Sequence, residues 1–180
     1  MFSLTSSRLR LIPLTLSQLQ LLATGRHNLE QALGLQVSSF ELTDQSFMAE
    51  FNQCVEPYLI PQVAAQSDHY EWFTHWLIVE RDQNLTVGGI GVAGLPDEAG
   101  ETMLGYFVDR KFEGLGIATE AVNTLAQWLF LESALQALIA DIPLGHIGSQ
   151  RVLEKAGFIY SGPVEEGQRW LLSRLIPLAS

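Results

Sequence analysis

Gly114-Leu115-Gly116-Ile117-Ala118-Thr119-Glu120-Ala121 is the stretch whose residue types and spacing are suited to chemistry. Glycine lacks a Cβ, so the chain can turn tightly there and bring backbone N–H groups against a ligand. Behind the glycines, Ile117, Ala121, Leu125 and Leu129 form one helical stripe, with Ala118, Val122 and Ala126 beside it. A helix that begins here leaves its first N–H groups without internal partners, and its macrodipole adds partial positive charge. Such a terminus suits a phosphate. A P-loop does not fit, because Gly116 is followed by Ile117 and Ala118 instead of Lys and Ser or Thr. A G-x-G-x-x-G dinucleotide fingerprint does not fit either, since Thr119 occupies the third glycine position. Taken alone, a glycine turn that only starts a helix explains these residues equally well.

Positioning the loop requires an element on each side. Leu104-Gly105-Tyr106-Phe107-Val108 reads as a strand just upstream, so the order is strand, short loop, glycines, helix. The whole chain of 180 residues is expected to form a single domain, 1–180. A hydrophobic content of 47% with 17% charged residues argues for a globular protein. Ten basic against twenty acidic residues give a net charge of -10, a poor footprint for nucleic acid or an anionic membrane. The single cysteine, Cys54, rules out an internal disulfide and a multi-cysteine zinc site; no His-x-x-x-His pair is present, so no metal is expected. No targeting segment or membrane span is visible, and a cytoplasmic location is the expectation.

The remaining elements follow in order. Leu9 to Leu14 reads as a first strand ending near Pro13, with Ser17 as N-cap of a helix from Gln18 to Ala23. His27 to Val37 reads as weak helix or irregular chain, stopped at Gly34. Asp44 is placed to cap a helix from Gln45 to about Val55, ended by Pro57. Trp72 to Glu80, Thr86 to Ala93 and Glu101 to Val108 read as antiparallel strands, joined by turns at 81–84 and 96–100. Leu138 to Ile142 is a short buried strand, and Gly148 to Ala156 a helix with Gly157 as C′ residue. Phe158 to Ser161 and Arg169 to Leu175 follow as strands, separated by a turn over 162–167. The expected class is α/β (α+β), with a mixed, mostly antiparallel central sheet flanked by helices.

Two motifs taken together give a family resemblance. Glu113-Gly114-Leu115-Gly116-Ile117-Ala118 resembles the Q/R-x-x-G-x-G/A pyrophosphate loop of the GNAT N-acetyltransferases. Ser149-Gln150-Arg151-Val152-Leu153-Glu154-Lys155-Ala156-Gly157-Phe158 resembles the family's S-x-x-V-L-E-K-x-G-F, and Ala118-Thr119-Glu120-Ala121 looks like the branch that resembles ribosomal-protein N-terminal acetyltransferases. Arg8 to Leu14 and the Gln168-Arg169-Trp170 strand start extend the likeness over nearly the whole chain. The resemblance implies a GNAT fold with a cofactor cleft at splayed central strands, and attack of an amine on the thioester of acetyl-CoA.

It also assigns roles. Backbone amides from Gly114 through Leu115, Gly116, Ile117 and Ala118 to Thr119, with Glu113 beside them, would hold the cofactor's pyrophosphate. A free N–H around Phe107 and Val108 would polarise the thioester carbonyl. Ser149 would contact the cofactor sulfur or protonate the leaving thiolate; it suits a helix N-cap too. His146 stands where relatives carry asparagine, and imidazole can still donate or accept a hydrogen bond.

The chain departs from the family in three places. Met103 replaces the frequent glutamate of the central strand; Glu101, His75 and Glu71 are the alternatives for removing a proton from an ammonium of pKa about 10. Leu153 occupies the position of the frequent tyrosine acid. Glu113 puts an acid beside a diphosphate, with Arg110 and Lys111 close enough to supply positive charge at the rim.

Two functional classes follow from the resemblance. One is an acetyl-CoA-dependent N-acetyltransferase acting on a small amine or a protein N-terminus. The other is a non-catalytic module of the same fold that binds an acyl-CoA or acts as a sensor or interaction partner. The enzyme is the preferred reading, because transfer needs mainly proximity and oxyanion donors, and protons can pass through water. The acidic turn of Asp97, Glu98 and Glu101 would attract a cationic amine, or serve solubility alone. Late edge strands leave room for a homodimer.

Overall fold

Apolar positions at period two in the N-terminal half, and at helical spacing after Gly116, build one sheet with helices on both faces. The computed structural model describes residues 2–37, 39–43, 51 and 53–174. The chain runs through β1 (Leu4–Thr5), β2 (Leu9–Pro13), α1 (Leu16–Thr24) and α2 (Arg26–Ala32). A π-helical segment, Val55–Leu59, leads into α3 (Ile60–Ala65) and a 3-10 segment, Ser67–Trp72. The antiparallel strands β3 (Trp76–Glu80), β4 (Leu85–Val92) and β5 (Glu101–Val108) follow. Then come α4 (Ile117–Leu129), β6 (Ala137–Pro143), α5 (Ile147–Lys155), β7 (Ile159–Val164) and β8 (Gly167–Ser173). The eight-stranded sheet has the order β1-β2-β3-β4-β5-β6-β8-β7, and among these strand pairs of the described residues only β5–β6 is parallel.

Each face of the sheet has its own core. Ile117, Ala121, Val122, Leu125 and Leu129 of α4 pack on Trp76, Ile78, Leu104, Leu138 and Ile142. Trp76 meets Trp128 at 5.3 Å between ring centroids, and Trp72 meets Trp128 at 5.8 Å. On the opposite face, Leu19, Leu22, Leu29 and Val63 cover Leu77 and Val79. α4 therefore owns one face, and α1 to α3 own the other.

Several boundaries differ from the sequence expectations. The N-cap of α1 is Thr15, not Ser17: the Gln18 side-chain oxygen accepts the Thr15 N–H at 2.9 Å, the reach-back half of a capping box. Trp72 to His75 is not strand. Trp72 and Trp76 are one helical turn apart and both join the α4-side core, so 67–72 coils before β3 begins. The Thr74 hydroxyl donates to the Leu14 carbonyl at 2.6 Å and ties that corner to the end of β2. Pro57 does not end a helix. The chain widens to a π turn over Val55–Leu59, around the donor that proline lacks, and continues helically to Ala65. The helix expected from Gln45, with its Asp44 cap, lies largely outside the described residues. β7 runs on to Val164, which shortens the expected 162–167 turn. Glu101 to Val108 has the expected bounds.

Candidate active site

β5 and β6 are neighbours for only a short distance. Their parallel pairing covers Glu101↔Ala137, Thr102↔Leu138 and Met103↔Ile139, and stops there. Beyond it, β5 continues to Val108 against β4, and β6 continues to Pro143 against β8. The sheet therefore splits between the two strands, at the end where β5 leads into the glycine loop.

The ladder on the β4 side fixes which β5 amides face this split. Asp109 N–H donates to Val87 C=O at 2.8 Å, Ala93 N–H donates to Met103 C=O at 2.9 Å, and the register between them is constant. In an antiparallel pair, hydrogen-bonded and non-hydrogen-bonded positions alternate. Gly105 and Phe107 thus exchange bonds with β4, whereas the N–H groups of Tyr106 and Val108 point into the split. The expected donor at Val108 is so oriented; the Phe107 N–H is turned toward Gly89, and Tyr106 takes its place. Nothing in side-chain types separates odd from even here, but strand parity counted from Asp109 could have done so.

The glycine loop lies just beyond. Gly114 and Gly116 have φ of +74° and +79°, conformations that favour glycine. Gly116 is the N-cap of α4 and offers no side chain, so the first amides of the helix, including those of Ile117, Ala118 and Thr119, are not capped by one. Leu115 is exposed. The loop is held from behind by Arg8: Nη1 donates to the Leu115 carbonyl at 2.9 Å, and Nε pairs with Glu120 at 2.7 Å. Ser6 Oγ, Ser7 Oγ and the Arg8 N–H all donate to the same Glu120 oxygen. Partial burial works to raise the Glu120 pKa, but these hydrogen bonds prevail and hold it down to about 2. A groove beside Gly116 is lined by Thr119, Asn123 and Lys155.

Of the two basic residues the sequence reading put at the rim, Lys111 has its cation engaged by Ser39: Nζ donates to Ser39 Oγ at 2.9 Å. The backbone N–H of Arg110 donates to the Glu41 carbonyl. Glu113 accepts from the Thr43 hydroxyl at 2.8 Å. Arg8 and Lys155 are the cations beside the loop and its groove. Their distance in sequence from Gly116 hid them.

On the far side of the split, α5 begins at His146. Its Nδ1 accepts the Ser149 N–H at 3.2 Å, which makes His146 the N-cap and moves Ser149 into the first turn. No described residue bonds the Ser149 hydroxyl. The Tyr106 phenol spans the gap and donates to the Ser149 carbonyl at 3.3 Å; burial pushes its pKa up to about 12, so it stays protonated. Leu153 is fully buried in the core.

The α1 to α3 face carries a cavity of about 480 Å³, lined by Phe40, Phe51, His75, Thr86 and Phe107 among others. The His75 and Phe107 rings lie parallel with centroids 5.5 Å apart, and Phe51 meets His75 at 4.6 Å. Burial lowers the His75 pKa to about 3, so the ring is neutral. Of the other proton acceptors considered, Glu101 sits in the paired part of β5, and Glu71 offers its backbone carbonyl to the Trp76 indole at 2.8 Å. Met103 is exposed on the same strand. Asp141, not singled out from sequence, lies two residues past the last β5–β6 pair and is bound by both Nε and Nη2 of Arg169, at 2.8 and 2.7 Å.

Comparison with known proteins gives the family and the fold. An acetyltransferase (GNAT) domain model matches residues 8–159. An uncharacterised N-acetyltransferase of Bacillus subtilis, YjdG, is 27% identical over 171 residues, covering 95% of this chain and 98% of that one. Among solved structures, the ribosomal-protein-S5-alanine acetyltransferase of Vibrio fischeri superposes with a TM-score of 0.64 at 17% identity, covering 97% of this chain and 96% of that one. RimL, a ribosomal L7/L12 alpha-N-protein acetyltransferase solved with coenzyme A, superposes with a TM-score of 0.67 at 14% identity, covering 96% and 98%. Among the described residues, no helix is long and apolar enough to cross a membrane.

Proposed function

Because this chain belongs to the GNAT acetyltransferase family and is an N-acetyltransferase, we propose that it moves an acetyl group from acetyl-CoA to a primary amine by direct attack on the thioester. The observation that carries the reading is the split after Met103↔Ile139, with the Tyr106 and Val108 N–H groups aimed into it next to the uncapped α4 terminus.

The residues present fit the cofactor. A Cβ at Gly114 would meet nothing within 4 Å, which leaves the loop amides open to approach, and Arg8 and Lys155 supply positive charge nearby. The amides from Gly114 to Thr119 hold the diphosphate. When bound, acetyl-CoA supplies the activated acetyl group. The N–H groups of Tyr106 and Val108 stabilise negative charge developing on the carbonyl oxygen, in a setting where preorganised donors count for most. The Ser149 hydroxyl, first turn of α5, donates a proton to the sulfur that leaves and is reprotonated through water by the proton the attacking amine loses. His146 orients this turn through its Nδ1, and its Nε2–H is available to the pantetheine amides. Glu113 contributes its backbone to the loop, while Thr43 holds its carboxylate.

A thermal-shift titration with acetyl-CoA tests the reading. At about 100-fold excess over Kd, linkage predicts about 2.7 kcal/mol of stabilisation, or about 5–10 °C for a chain of this size. A saturable shift, together with amine-dependent release of CoA thiol, is the expected result. No shift at millimolar acetyl-CoA would overturn it.

A further inference from the structure

Building on the proposed transfer reaction, we infer that the cavity on the α1 to α3 face is the acceptor pocket, and that it selects primary amines with an uncharged aromatic body ending in one small hydrogen-bonding group. The cavity and the split share β5. Phe107 walls the cavity with its ring while its neighbours Tyr106 and Val108 turn their N–H groups into the split. Gly88, which lines the cavity, pairs with Val108. Between cavity and split the surface of β5 is bare at Gly105, where an added Cβ would meet nothing within 4 Å. An amine seated in the cavity therefore has an open path to the donors.

The lining sets the class. Phe40, Phe51, Phe107 and the neutral His75 present ring faces and edges, which suit a flat apolar body, and the Arg26 guanidinium that also lines the cavity, 4.8 Å from the Phe40 ring centroid, disfavours a second ammonium there. The cavity lining also includes Thr86, only 2% exposed, whose hydroxyl has no hydrogen-bond partner. An orphaned buried hydroxyl costs stability unless something meets it. Across the β4 bulge Thr86 pairs with Val79 and Gly89, the position opposite Phe107, pairs with Leu77, so the two sites are two residues apart on β3, about 7 Å at strand rise. A ligand with its amine near Phe107 and a hydroxyl at Thr86 spans that length.

The test compares tyramine, phenethylamine, spermidine and Nα-acetyl-lysine methylamide as acceptors with acetyl-CoA, alongside Thr86→Val. Tyramine is expected to exceed spermidine and the lysine amide by about 100-fold in kcat/KM. It is also expected to exceed phenethylamine by about tenfold, and T86V, which keeps the shape of the side chain, should bring that last ratio near one. Tyramine alone should raise the Tm of the wild-type protein more than that of T86V. Equal use of spermidine, or a ratio that survives T86V, would overturn the acceptor inference. So would an acetyl-CoA thermal shift accompanied by neither tyramine acetylation nor a tyramine shift, and that outcome leaves the cofactor reading intact. Absence of the acetyl-CoA shift itself overturns the reading beneath it.

Discussion

The imidazole of His75 and the ring of Phe107 lie within 4° of parallel, stacked over a strand position that has no side chain. That position is Gly89, whose added Cβ would lie 2.0 Å from His75 Cε1 and 2.6 Å from Phe107 Cζ. Both contacts are too close for any atom, and neither ring is a flexible chain end. Gly89→Ala is expected to destabilise the protein by about 1–3 kcal/mol and to lower kcat/KM by displacing Phe107 and the adjoining strand. Denaturant unfolding and steady-state kinetics check both effects.

The same histidine shapes the acid limb of stability. A His with a folded pKa of about 3 and an unfolded value of 6.5 binds more protons when unfolded over the interval between them. Its neutral burial is thus fully tolerated above pH 6.5, and stability falls as the pH drops from 6.5 toward 3. His75→Gln should flatten the slope of unfolding free energy against pH in that window. An unchanged slope would show that His75 is already protonated in the folded state.

Ser149 and His146 are separable by experiment, because the cap belongs to one and the free hydroxyl to the other. Ser149→Ala is expected to lower kcat by about 100-fold with Tm essentially unmoved. His146→Ala removes the cap and should cost about 1 kcal/mol, or about 2–4 °C. Loss of Tm in S149A would return the serine to a capping role.

Glu120 gives a second acid signature with its own window. Its carboxylate is held down to about 2 against an ordinary value of 4.5, so the stability it contributes is complete above pH 4.5 and is lost as the pH falls toward 2. Glu120→Gln should lower Tm at neutral pH and flatten the unfolding profile between those values. Arg8→Gln, by freeing the Leu115 carbonyl, is expected to raise KM for acetyl-CoA by about tenfold, since a hydrogen bond from a charged group contributes about 1.5–3 kcal/mol. Steady-state kinetics of Arg8→Gln measure the rise in KM, and thermal-shift titration with acetyl-CoA reads the matching rise in Kd.

Local pattern was enough to find β5, the glycine loop and α4, because each announces itself within a few residues: alternation in Leu104 to Val108, glycines with positive φ, and a four-residue apolar stripe. The late helix and its Gly157 stop were legible for the same reason. What escaped depends on partners distant in the chain. Arg8 meets Glu120 across 112 positions, and Trp72 coils because Trp128 receives it on the α4 face. His146 as a cap was hidden because Ser149 is the better cap by residue type, and only the turn geometry at 146 decides between them. The orphaned Thr86 hydroxyl leaves no mark in the sequence at all.

Three residue pairs make up the whole β5–β6 ladder that joins a five-stranded half-sheet to a three-stranded one. Beyond that seam, each strand forgoes the rungs the other would have supplied, and a pantetheine-like chain with alternating amides is the natural splint. If acetyl-CoA binds as proposed, such a protein couples its own durability to the supply of what it consumes, and the seam is expected to be braced when loaded.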